Sequence, residues 1–341
     1  MLNTVYRLVE PRRIEAEFCD IDVAGDDILI RPTHLSICNA DQRYFQGTRP
    51  AEILRKKLPM ALIHEGIGRV VYDPKKELPS GTRVVMVPNT PFEDDPIVAE
   101  NYRRSSKFRA SGFDGFMQDL VSMRRDRIVV LPDDINEYVA SFTELVSVSY
   151  HTIDRFLTRS HERRDVLGVW GDGNVAFITA LLLKKRLPES KVLIFGKHEY
   201  KMNDFVFADD CYHIDDIPGD LLIDHGFECV GRTGVSTSIN QIIDHIRPEG
   251  CIATMGVSED NVPINTRMIL EKGLTLFGSS RSGVKDFENL LNLYREKPEI
   301  VEYLQRIVGE TINVKTIEDM TRAFDTDIQK KGGKTIMVWN K

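Results

Sequence analysis

Cysteine is scarce in this chain of 341 residues, and the few thiols lie far apart. The five positions are Cys19, Cys38, Cys211, Cys229 and Cys251. No C-x-x-C pair is present, which excludes a zinc ribbon and a thioredoxin-like redox motif. An odd and scattered set also argues against a disulfide framework, and a chain of this length buries a sufficient core without cross-links.

Long apolar segments are also missing. The longest, residues 175–183, has nine residues including one threonine, whereas a membrane-spanning helix needs about 20. The N-terminal segment MLNTVYRLVEPRR lacks the apolar core of a signal peptide. We therefore expect a cytoplasmic protein that does not enter the membrane.

Positive charge is not in excess. The chain carries 45 lysine and arginine residues against 52 aspartate and glutamate residues, which gives a net charge of −7. Nucleic acids and anionic membrane surfaces attract basic proteins, so a mildly acidic chain is a poor general partner for either. The composition favours a small-molecule substrate.

The apolar pattern changes near residue 148. Before that point, short apolar runs such as 28–30, 69–72 and 84–87 are separated by proline, glycine and aspartate, which is typical of an antiparallel sheet or barrel. After it, predicted strands and helices alternate, which indicates βαβ units with a parallel sheet and an α/β fold. The predicted strands are 166–170, 191–195, 224–230, 251–257 and 274–277, and the predicted helices are 175–185 and 236–246. Beyond residue 279 we predict one helix, 287–294, and a closing strand, 335–339.

A glycine-rich turn separates the predicted strand 166–170 from the next helix. Its sequence, Gly171-Asp172-Gly173-Asn174-Val175-Ala176, fits the G-x-G-x-x-A pattern of dinucleotide-binding folds. The first glycine permits a tight turn, and the second lets the backbone approach a pyrophosphate. The free N–H groups of the helix N-terminus, around Asn174 and Val175, attract the phosphates. A purely structural turn is the alternative.

The residues after strand 191–195 indicate the type of cofactor. NAD sites usually place an acidic residue here for the ribose 2′-hydroxyl, but this chain has Lys197 and Lys201. Two lysines attract the 2′-phosphate that a carboxylate would repel, which favours NADPH. The alternatives are lysines that only face solvent, and Glu199 as the ribose acceptor.

Four residues in the N-terminal half have side chains that suit zinc: Cys38, His64, Glu65 and Glu144. A thiolate, an imidazole and a carboxylate can bind zinc and leave a position for water or substrate. The separations of 26 residues (Cys38 to His64) and 79 residues (Glu65 to Glu144) follow no local spacing rule. From the spacing alone, an isolated cysteine or histidine is more often a core residue.

The order of motifs along nearly the whole chain resembles the zinc-dependent medium-chain dehydrogenase/reductase family. The motifs are Cys38-x-x-Asp41, His64-Glu65 with Gly68, Gly81-Thr82-Arg83-Val84, Glu144 and the glycine turn. The resemblance implies a GroES-like β-rich catalytic domain, residues 1–147 and 279–341, and a Rossmann domain with a doubly wound parallel sheet, residues 148–278.

The polyol-dehydrogenase branch of this family is the most similar. In that branch a cysteine, a His-Glu pair and a later glutamate hold zinc, which implies Cys38, His64, Glu65 and Glu144 as ligands. Asp41 is then placed to orient a ligand, although a turn or cap residue is the alternative. Residues 227–231 resemble the third Rossmann strand and loop of the branch. Glu228 and Cys229 lie at the end of this strand and are expected to border the cofactor, although a buried cysteine is commonly only a packing residue.

Within the branch, several segments resemble the ribulose-5-phosphate reductases that supply CDP-ribitol for teichoic acids and related surface polymers. These segments are residues 36–44, 62–66, 86–91, 169–174 and 278–283. The resemblance implies that zinc polarises the C2 ketone of D-ribulose 5-phosphate while NADPH delivers the hydride. It also implies a homodimer and a link to the cytidylyltransferase that consumes D-ribitol 5-phosphate.

The sequence departs from the family pattern at three points. Ile63 stands where a glycine commonly precedes the His-Glu pair, and Ala40 replaces the Ser or Thr of the usual proton relay. The proton donor is therefore open between zinc-bound water, Tyr44 and Glu144. The four-cysteine lobe that holds a structural zinc is absent, so we expect one catalytic zinc per chain and no structural zinc.

A sugar phosphate requires a cationic pocket. The candidates are Arg43, Arg103, Arg104, Lys107 and Arg109. Arginine suits phosphate through bidentate hydrogen bonds, but a run of charge is often only a solvated surface. Arg281, after the last predicted Rossmann strand, is a candidate for the cofactor pyrophosphate, with an ordinary salt bridge as the alternative.

Two other functions compete with a zinc-dependent, NADPH-linked reductase. One is an NAD-dependent dehydrogenase for a free polyol such as sorbitol or ribitol, which Lys197 and Lys201 disfavour. The other is a non-catalytic NADP-binding protein, which the joint presence of the four metal-ligand candidates disfavours. Absence of metal would not by itself identify the non-catalytic protein, because a zinc-free quinone reductase of the same family also lacks metal but catalyses turnover.

Overall fold

The computed structural model describes all residues, Met1–Lys341, and the backbone divides into two units. The first unit comprises Met1–Ser147 together with Ser282–Lys341, and the second comprises Val148–Arg281. The chain has no helix that is both long and apolar enough to cross a membrane.

The N-terminal part of the first unit is mostly short strands, as its punctuated apolar pattern predicts. The strands are β1 (Leu2–Glu10), β2 (Arg13–Asp20), β3 (Ile28–Ser36), β4 (Met60–Ala61), β5 (Glu65–Tyr72), β6 (Arg83–Met86), β7 (Asn89–Thr90), β8 (Lys107–Phe108), β9 (Val121–Met123) and β10 (Ile128–Val130). The helices are α1 (Asn39–Phe45), α2 (Ala51–Lys57), α3 (Glu137–Ala140) and α4 (Thr143–Arg159), the last of which continues into the second unit.

The second unit alternates strands and helices around one parallel sheet. Its strands are β11 (Val166–Trp170), β12 (Lys191–Gly196), β13 (Asp210–His213), β14 (His225–Glu228), β15 (Cys251–Thr254) and β16 (Thr275–Gly278). Its helices are α5 (Asn174–Arg186), α6 (Glu199–Met202), α7 (Val235–His245) and α8 (Thr266–Glu271). The strand order β13-β12-β11-β14-β15-β16 confirms the predicted parallel sheet, and β13, α6 and α8 were not predicted.

The position of the glycine turn follows from this topology. The order reverses direction at β11, because β12 and β13 extend to one side while β14 to β16 extend to the other. Ligands of open α/β sheets bind beyond the carboxyl ends of the strands at such a point. Helix α5 starts there, and its segment 176–183 is buried, which accounts for the apolar run of the sequence.

The C-terminal segment returns to the first unit. It forms α9 (Val284–Glu296), α10 (Glu299–Leu304), β17 (Val308–Val314), α11 (Ile317–Gln329) and β18 (Lys334–Trp339). Strand β18 pairs with β3 in antiparallel orientation and with β17 in parallel orientation. The predicted helix 287–294 and strand 335–339 are present, whereas α10, β17 and α11 were missed.

Strand pairing in the first unit places its site residues. The main sheet has the order β10-β6-β5-β3-β18-β17, and β9 also pairs with β3. A smaller sheet has the order β2-β1-β4. Because β3 lies between β5 and β18, the residues that follow β3 lie near those that start both neighbours.

Candidate active site

The pairing of β3 with β5 brings Cys38 and His64 together. Ser36 at the end of β3 lies opposite Glu65 at the start of β5, so the chain leaves β3 beside the residues that enter β5. The Cys38 sulfur, a His64 ring nitrogen and a Glu65 carboxylate oxygen all lie within 4.8 Å of one another. Three metal-ligating groups that are distant in sequence thus form one cluster.

Asp41 links both sides of this cluster. Its Oδ2 accepts the Cys38 backbone N–H at 3.2 Å, and its Oδ1 accepts the Ile63 N–H at 3.0 Å. The same Oδ1 lies 3.5 Å from His64 Nδ1. A carboxylate that hydrogen-bonds the imidazole of a metal ligand orients the ring and increases its basicity; here Asp41 lies beside the His64 ring at 3.5 Å without a hydrogen bond to it.

Ile63 adopts a backbone conformation that explains why glycine is common at this position. Its φ angle is 69°, in the left-handed region where a β-branched residue is strained. The conformation is held because the N–H of Ile63 bonds to Asp41, its carbonyl accepts the Phe116 N–H at 2.7 Å, and its side chain is fully buried. The turn directs the following His64 towards Asp41.

Lys334 forms an ion pair with Glu65, and this partner was not predicted from the sequence. Because Ile336 of β18 lies opposite Ser36 of β3, Lys334 lies level with Cys38. Lys334 Nζ is 2.9 Å from Glu65 Oε1 and 2.8 Å from Oε2, and both side chains are buried. The available signal was a lysine directly before the apolar run 335–339, whose ammonium group must find a partner if the run is buried.

Glu144, on α4, is buried close to the cluster but outside the 4.8 Å group. Burial raises the pKa of its carboxyl to about 7; His64 opposes this shift, and the charge of Glu65 adds to it. His64 and Glu65 act on Glu144 electrostatically, so these three residues share one electrostatic environment. A cation bound there would favour the ionised form of the Glu65 and Glu144 carboxyl groups.

The donor set suits zinc. Burial raises the pKa of the Cys38 thiol, and the Glu65 carboxylate raises it further. Burial alone would lower the pKa of His64, but Asp41 and Cys38 outweigh it and hold that pKa well above its usual value. The His64 shift reflects the acidic groups around it, whereas the Cys38 shift is due first to burial. A divalent cation would stabilise the ionised form of such acidic groups, and a thiolate, an imidazole and carboxylates are ligands that zinc accepts.

In the second unit, the glycine turn is shaped for close backbone approach. Gly171 has a φ angle of 129°, and a Cβ atom there would lie 3.1 Å from the Cys229 carbonyl oxygen and 3.2 Å from Ala176 Cβ. A Cβ on Gly173 would meet nothing within 4 Å. Gly173 is also the N-cap of α5 and provides no side-chain cap, and the N–H groups of a helix N-terminus are a typical site for a phosphate.

The segment after β12 carries the predicted lysines. Lys197 is exposed, and Lys201 lies on the short helix α6. Asp172, inside the glycine turn, contacts this segment through several hydrogen bonds that the sequence analysis did not predict. Glu199, the alternative ribose acceptor, is exposed on α6.

Glu228 has a structural set of partners. Its buried carboxylate accepts the backbone N–H groups of Val230 at 2.7 Å, Gly231 at 3.3 Å and Gly256 at 2.9 Å. It therefore holds together the loops that follow β14 and β15, which favours packing over direct cofactor contact. Arg281 is exposed at the end of the second unit, with a φ angle of 57°.

Two arginines of the basic cluster 103–109 are bonded to loop carbonyls. Arg103 donates to the carbonyls of Val98 and Glu93 at 3.0 and 2.6 Å, and Arg109 donates to those of Asp114 and Ser122 at 3.2 and 2.6 Å. These bonds use the guanidinium groups to fix loops, which favours a structural role for Arg103 and Arg109 over phosphate binding.

The other three cations have different surroundings. The Lys107 ammonium lies over the rings of Phe92 and Phe113, 5.1 and 4.7 Å from their centroids. Arg104 is exposed. Arg43 lies on α1, five positions after Cys38, and is the predicted phosphate candidate nearest in sequence to a proposed metal ligand.

Two family models match the chain. The alcohol dehydrogenase GroES-like domain matches residues 24–133, and the zinc-binding dehydrogenase model matches residues 204–296. They fall in the first unit and mainly in the second unit, respectively. Together with the sheet topology, the matches confirm the predicted α/β fold class with a GroES-like and a Rossmann domain.

Full-length relatives are similar over almost the entire sequence. A ribulose-5-phosphate reductase of Bacillus spizizenii is 54% identical over 339 residues, which are 99% of each chain. Ribulose-5-phosphate reductase 2 of Staphylococcus aureus is likewise 54% identical over 339 residues and 99% of each chain.

Solved structures have the same architecture. The crystal structure of S. aureus TarJ in complex with NADPH matches with a TM-score of 0.90 and 48% identity, over 100% of both chains. L-Idonate 5-dehydrogenase of Escherichia coli has a TM-score of 0.86 at 18% identity, over 99% of this chain and 98% of that one. The second likeness concerns the fold alone.

Proposed function

The chain belongs to the ribulose-5-phosphate reductase family of zinc-binding dehydrogenases, and from this membership we propose that it reduces D-ribulose 5-phosphate to D-ribitol 5-phosphate with NADPH. It is an NADP-dependent polyol-phosphate dehydrogenase. The observation that carries the proposal is the 54% identity over 99% of the chain to reductases of this name. The buried cluster of Cys38, His64 and Glu65 gives it a chemical basis.

The proposed metal ligands are Cys38, His64, Glu65 and Glu144. When bound, zinc supplies Lewis-acid polarisation of the C2 carbonyl and stabilises the negative charge that develops on its oxygen. Asp41 orients the His64 ring, and Lys334 balances Glu65 so that the cluster is not excessively anionic. With alanine at position 40, the proton donor is proposed among water, Tyr44 and Glu144.

The second unit provides the proposed cofactor site. The turn Gly171–Gly173 and the N-terminus of α5 would hold the pyrophosphate of NADPH, because the backbone there has space for a close approach. Lys197 and Lys201 would attract the 2′-phosphate. The hydride itself comes from the nicotinamide, so the role of the protein is to bind and orient the two reactants.

Several finer points are part of the same proposal. We propose one catalytic zinc per chain and no structural zinc, because the sequence lacks the four-cysteine lobe that would hold a structural zinc. We further propose a homodimer in the cytoplasm whose product passes to a cytidylyltransferase for CDP-ribitol synthesis. Among the predicted phosphate ligands, Arg43 and Arg104 are the arginines that we retain.

Steady-state rates with two cofactors and two sugars test the function. We expect turnover with NADPH and D-ribulose 5-phosphate, and much weaker turnover when NADH replaces NADPH or when unphosphorylated D-ribulose is the substrate. Equal rates with both sugars would contradict the phosphate specificity. Equal rates with both cofactors would contradict the proposed role of the lysines.

Elemental analysis separates the enzyme from a binding protein. We expect zinc in the purified protein and loss of turnover when a chelator removes it. Tight NADPH binding without metal and without turnover would instead support the non-catalytic alternative.

A further inference from the structure

We infer that Asp172 is a positioning residue that sets the preference for NADPH by fixing the segment that carries Lys197 and Lys201. The inference rests on the proposed NADPH-dependent function. Asp172 is the second residue of the glycine turn, where the dinucleotide-binding pattern specifies no residue type. The pattern itself therefore does not explain why an aspartate stands at this position.

Asp172 joins the turn after β11 to the segment after β12. Its Oδ2 accepts the backbone N–H of Lys197 at 2.9 Å and that of His198 at 2.8 Å. The same oxygen lies 2.8 Å from His198 Nδ1, and Oδ1 is 3.8 Å from Lys201 Nζ. The side chain of Asp172 thus contacts Lys197, His198 and Lys201 of the neighbouring segment.

Besides Asp172, two contacts hold the neighbouring segment: His213 Nε2 donates to the Lys197 carbonyl at 3.1 Å, and Met202 of α6 is buried. Helix α6 has only four residues, and its N-cap residue His198 makes no side-chain capping bond. A helix this short is unstable without external contacts. Lys197 directly precedes His198, and Lys201 lies within α6. Asp172 is the side chain that binds the backbone N–H groups at the start of this segment, so the positions of both lysines depend in part on its bonds.

The carboxylate of Asp172 is ionised, and its charge is stabilised by the donor groups of Lys197 and His198. Burial raises its pKa, but the hydrogen bonds from His198 and from the two backbone N–H groups outweigh burial and lower the pKa below its usual value. Oδ2 already interacts with three donor groups, so a ribose hydroxyl would have to compete for it. Asp172 is thus a poor substitute for the acidic ribose ligand of an NAD site.

Positioning and simple electrostatics predict opposite effects when the charge of Asp172 is removed. If Asp172 only lies near the 2′-phosphate, Asp172→Asn removes a repulsive charge and strengthens binding. If Asp172 holds the lysines in place, the same substitution lets the segment move and weakens binding. If Asp172 accepts ribose hydroxyls, the substitution weakens binding of an adenosine 5′-monophosphate at least as much as that of a 2′,5′-bisphosphate, because the bisphosphate has no free 2′-hydroxyl.

Calorimetry with two nucleotide fragments distinguishes these outcomes in the full-length protein without any turnover. The probes are adenosine 2′,5′-bisphosphate and adenosine 5′-monophosphate. For Asp172→Asn we expect about tenfold weaker binding of the bisphosphate, which is the size of one lost charge-assisted hydrogen bond. Binding of the monophosphate should change by less than about twofold. Asp204→Asn is the matched control, because Asp204 is exposed nearby and its substitution removes the same charge.

A second variant protects the test against misfolding. Asp172→Glu keeps the charge but moves the carboxylate by one methylene group, so positioning predicts a selective loss for the bisphosphate whereas electrostatics predicts none. Unchanged or stronger bisphosphate binding by both variants would overturn the inference. If the unsubstituted protein shows no preference for the bisphosphate, the NADPH part of the proposed function fails as well, and the two failures are thereby distinguished.

Discussion

Lys334 and Glu65 form an ion pair in the interior of the first unit. Lys334 Nζ lies 2.9 Å from Glu65 Oε1 and 2.8 Å from Oε2. The ammonium group also donates to the Ile37 carbonyl at 2.9 Å, so it contacts three oxygens. The C-terminal strand β18 therefore brings a cation to a carboxylate that is proposed to bind zinc.

Replacing Lys334 by methionine should destabilise the metal-free protein by about 3–5 kcal/mol, because Glu65 would keep a buried charge without a partner. Zinc added to the chelator-treated variant should restore part of this loss, because a bound cation balances the same carboxylate. Thermal unfolding of the Lys334→Met variant and of the unsubstituted protein, after chelation and again after zinc addition, measures the loss of stability and its recovery.

The matched control for this variant is Lys56→Met, which removes an exposed lysine of the same unit. Its effect should stay within about 0.5 kcal/mol. An equal loss of stability for Lys334→Met with and without zinc would show that the ion pair acts independently of the metal.

Cys38→Ser should lose zinc more severely than Asp41→Asn. Asp41 is an outer partner of His64, and removing such a group typically weakens metal binding by about 10–100-fold. Cys38 is a proposed ligand, so its loss should exceed that range and abolish turnover. Zinc content by mass spectrometry and competition with a chromophoric chelator measure both values. Cys19→Ser is the control, and a Cys38→Ser protein with normal zinc and activity would refute the ligand assignment.

The nucleotide turn could be predicted from sequence because its parts are contiguous. A strand, two glycines and a helix follow one another within residues 166–186, and each element has a local pattern. The metal cluster had no such pattern, because the register of β3 against β5 brings Cys38 to His64. Only the resemblance to a known family identified these residues as candidate metal ligands.

Contacts that depend on register alone were missed. Lys334 meets Glu65 because β18 pairs with β3, and Asp172 meets His198 because β11 pairs with β12. Neither pairing can be inferred from spacing along the chain. For the basic residues 103–109, proximity in sequence suggested a common role, whereas the fold gives Arg103 and Arg109 separate carbonyl partners.

The missed C-terminal elements have a different cause. Strand β17 is mostly exposed or half-buried, so it lacks a continuous apolar run. Helix α11 did carry a local signal, since Thr316 and Asp319 form a reciprocal capping box at its start. The buried residues Met320, Ala323 and Phe324 also follow helical spacing, so this helix was predictable from its sequence and was overlooked.

Gly173→Ser should separate nucleotide binding from stability. The residue has an extended backbone, and a Cβ atom there contacts nothing. Because serine is favoured at a helix N-cap, stability should be unchanged or slightly higher. The added atoms would obstruct the approach of the pyrophosphate, so NADPH affinity should fall by about tenfold, or ~1.4 kcal/mol. Fluorescence titration with NADPH and thermal unfolding measure the two quantities.

Gly171→Ala is the counterpart, and it should mainly reduce stability. Its φ angle of 129° and the close Cys229 carbonyl leave no space for a methyl group, which should cost about 1–3 kcal/mol. A Gly173→Ser protein that binds NADPH normally would contradict the assignment of this turn to the pyrophosphate.

His225 should make the second unit sensitive to acid. The imidazole is buried between two backbone groups: Nδ1 accepts the Cys251 N–H at 3.1 Å, so Nε2 carries the proton and donates to the Arg163 carbonyl at 3.0 Å. Burial, with a smaller effect of the neighbouring His161, lowers the pKa of His225 from 6.5 to about 4. The neutral ring is therefore the form that fits the fold.

The lowered pKa fixes the sign of the pH dependence. Between pH 6.5 and about 4 the unfolded chain binds a proton that the folded protein excludes, so stability falls as the pH decreases through this range and is fully present above it. The loss should approach about 3 kcal/mol at the lower limit. Urea unfolding at a series of pH values measures it, with His225→Gln lacking this component and His213→Gln retaining it. An identical pH profile for His225→Gln and the unsubstituted protein would show that another group carries the acid sensitivity.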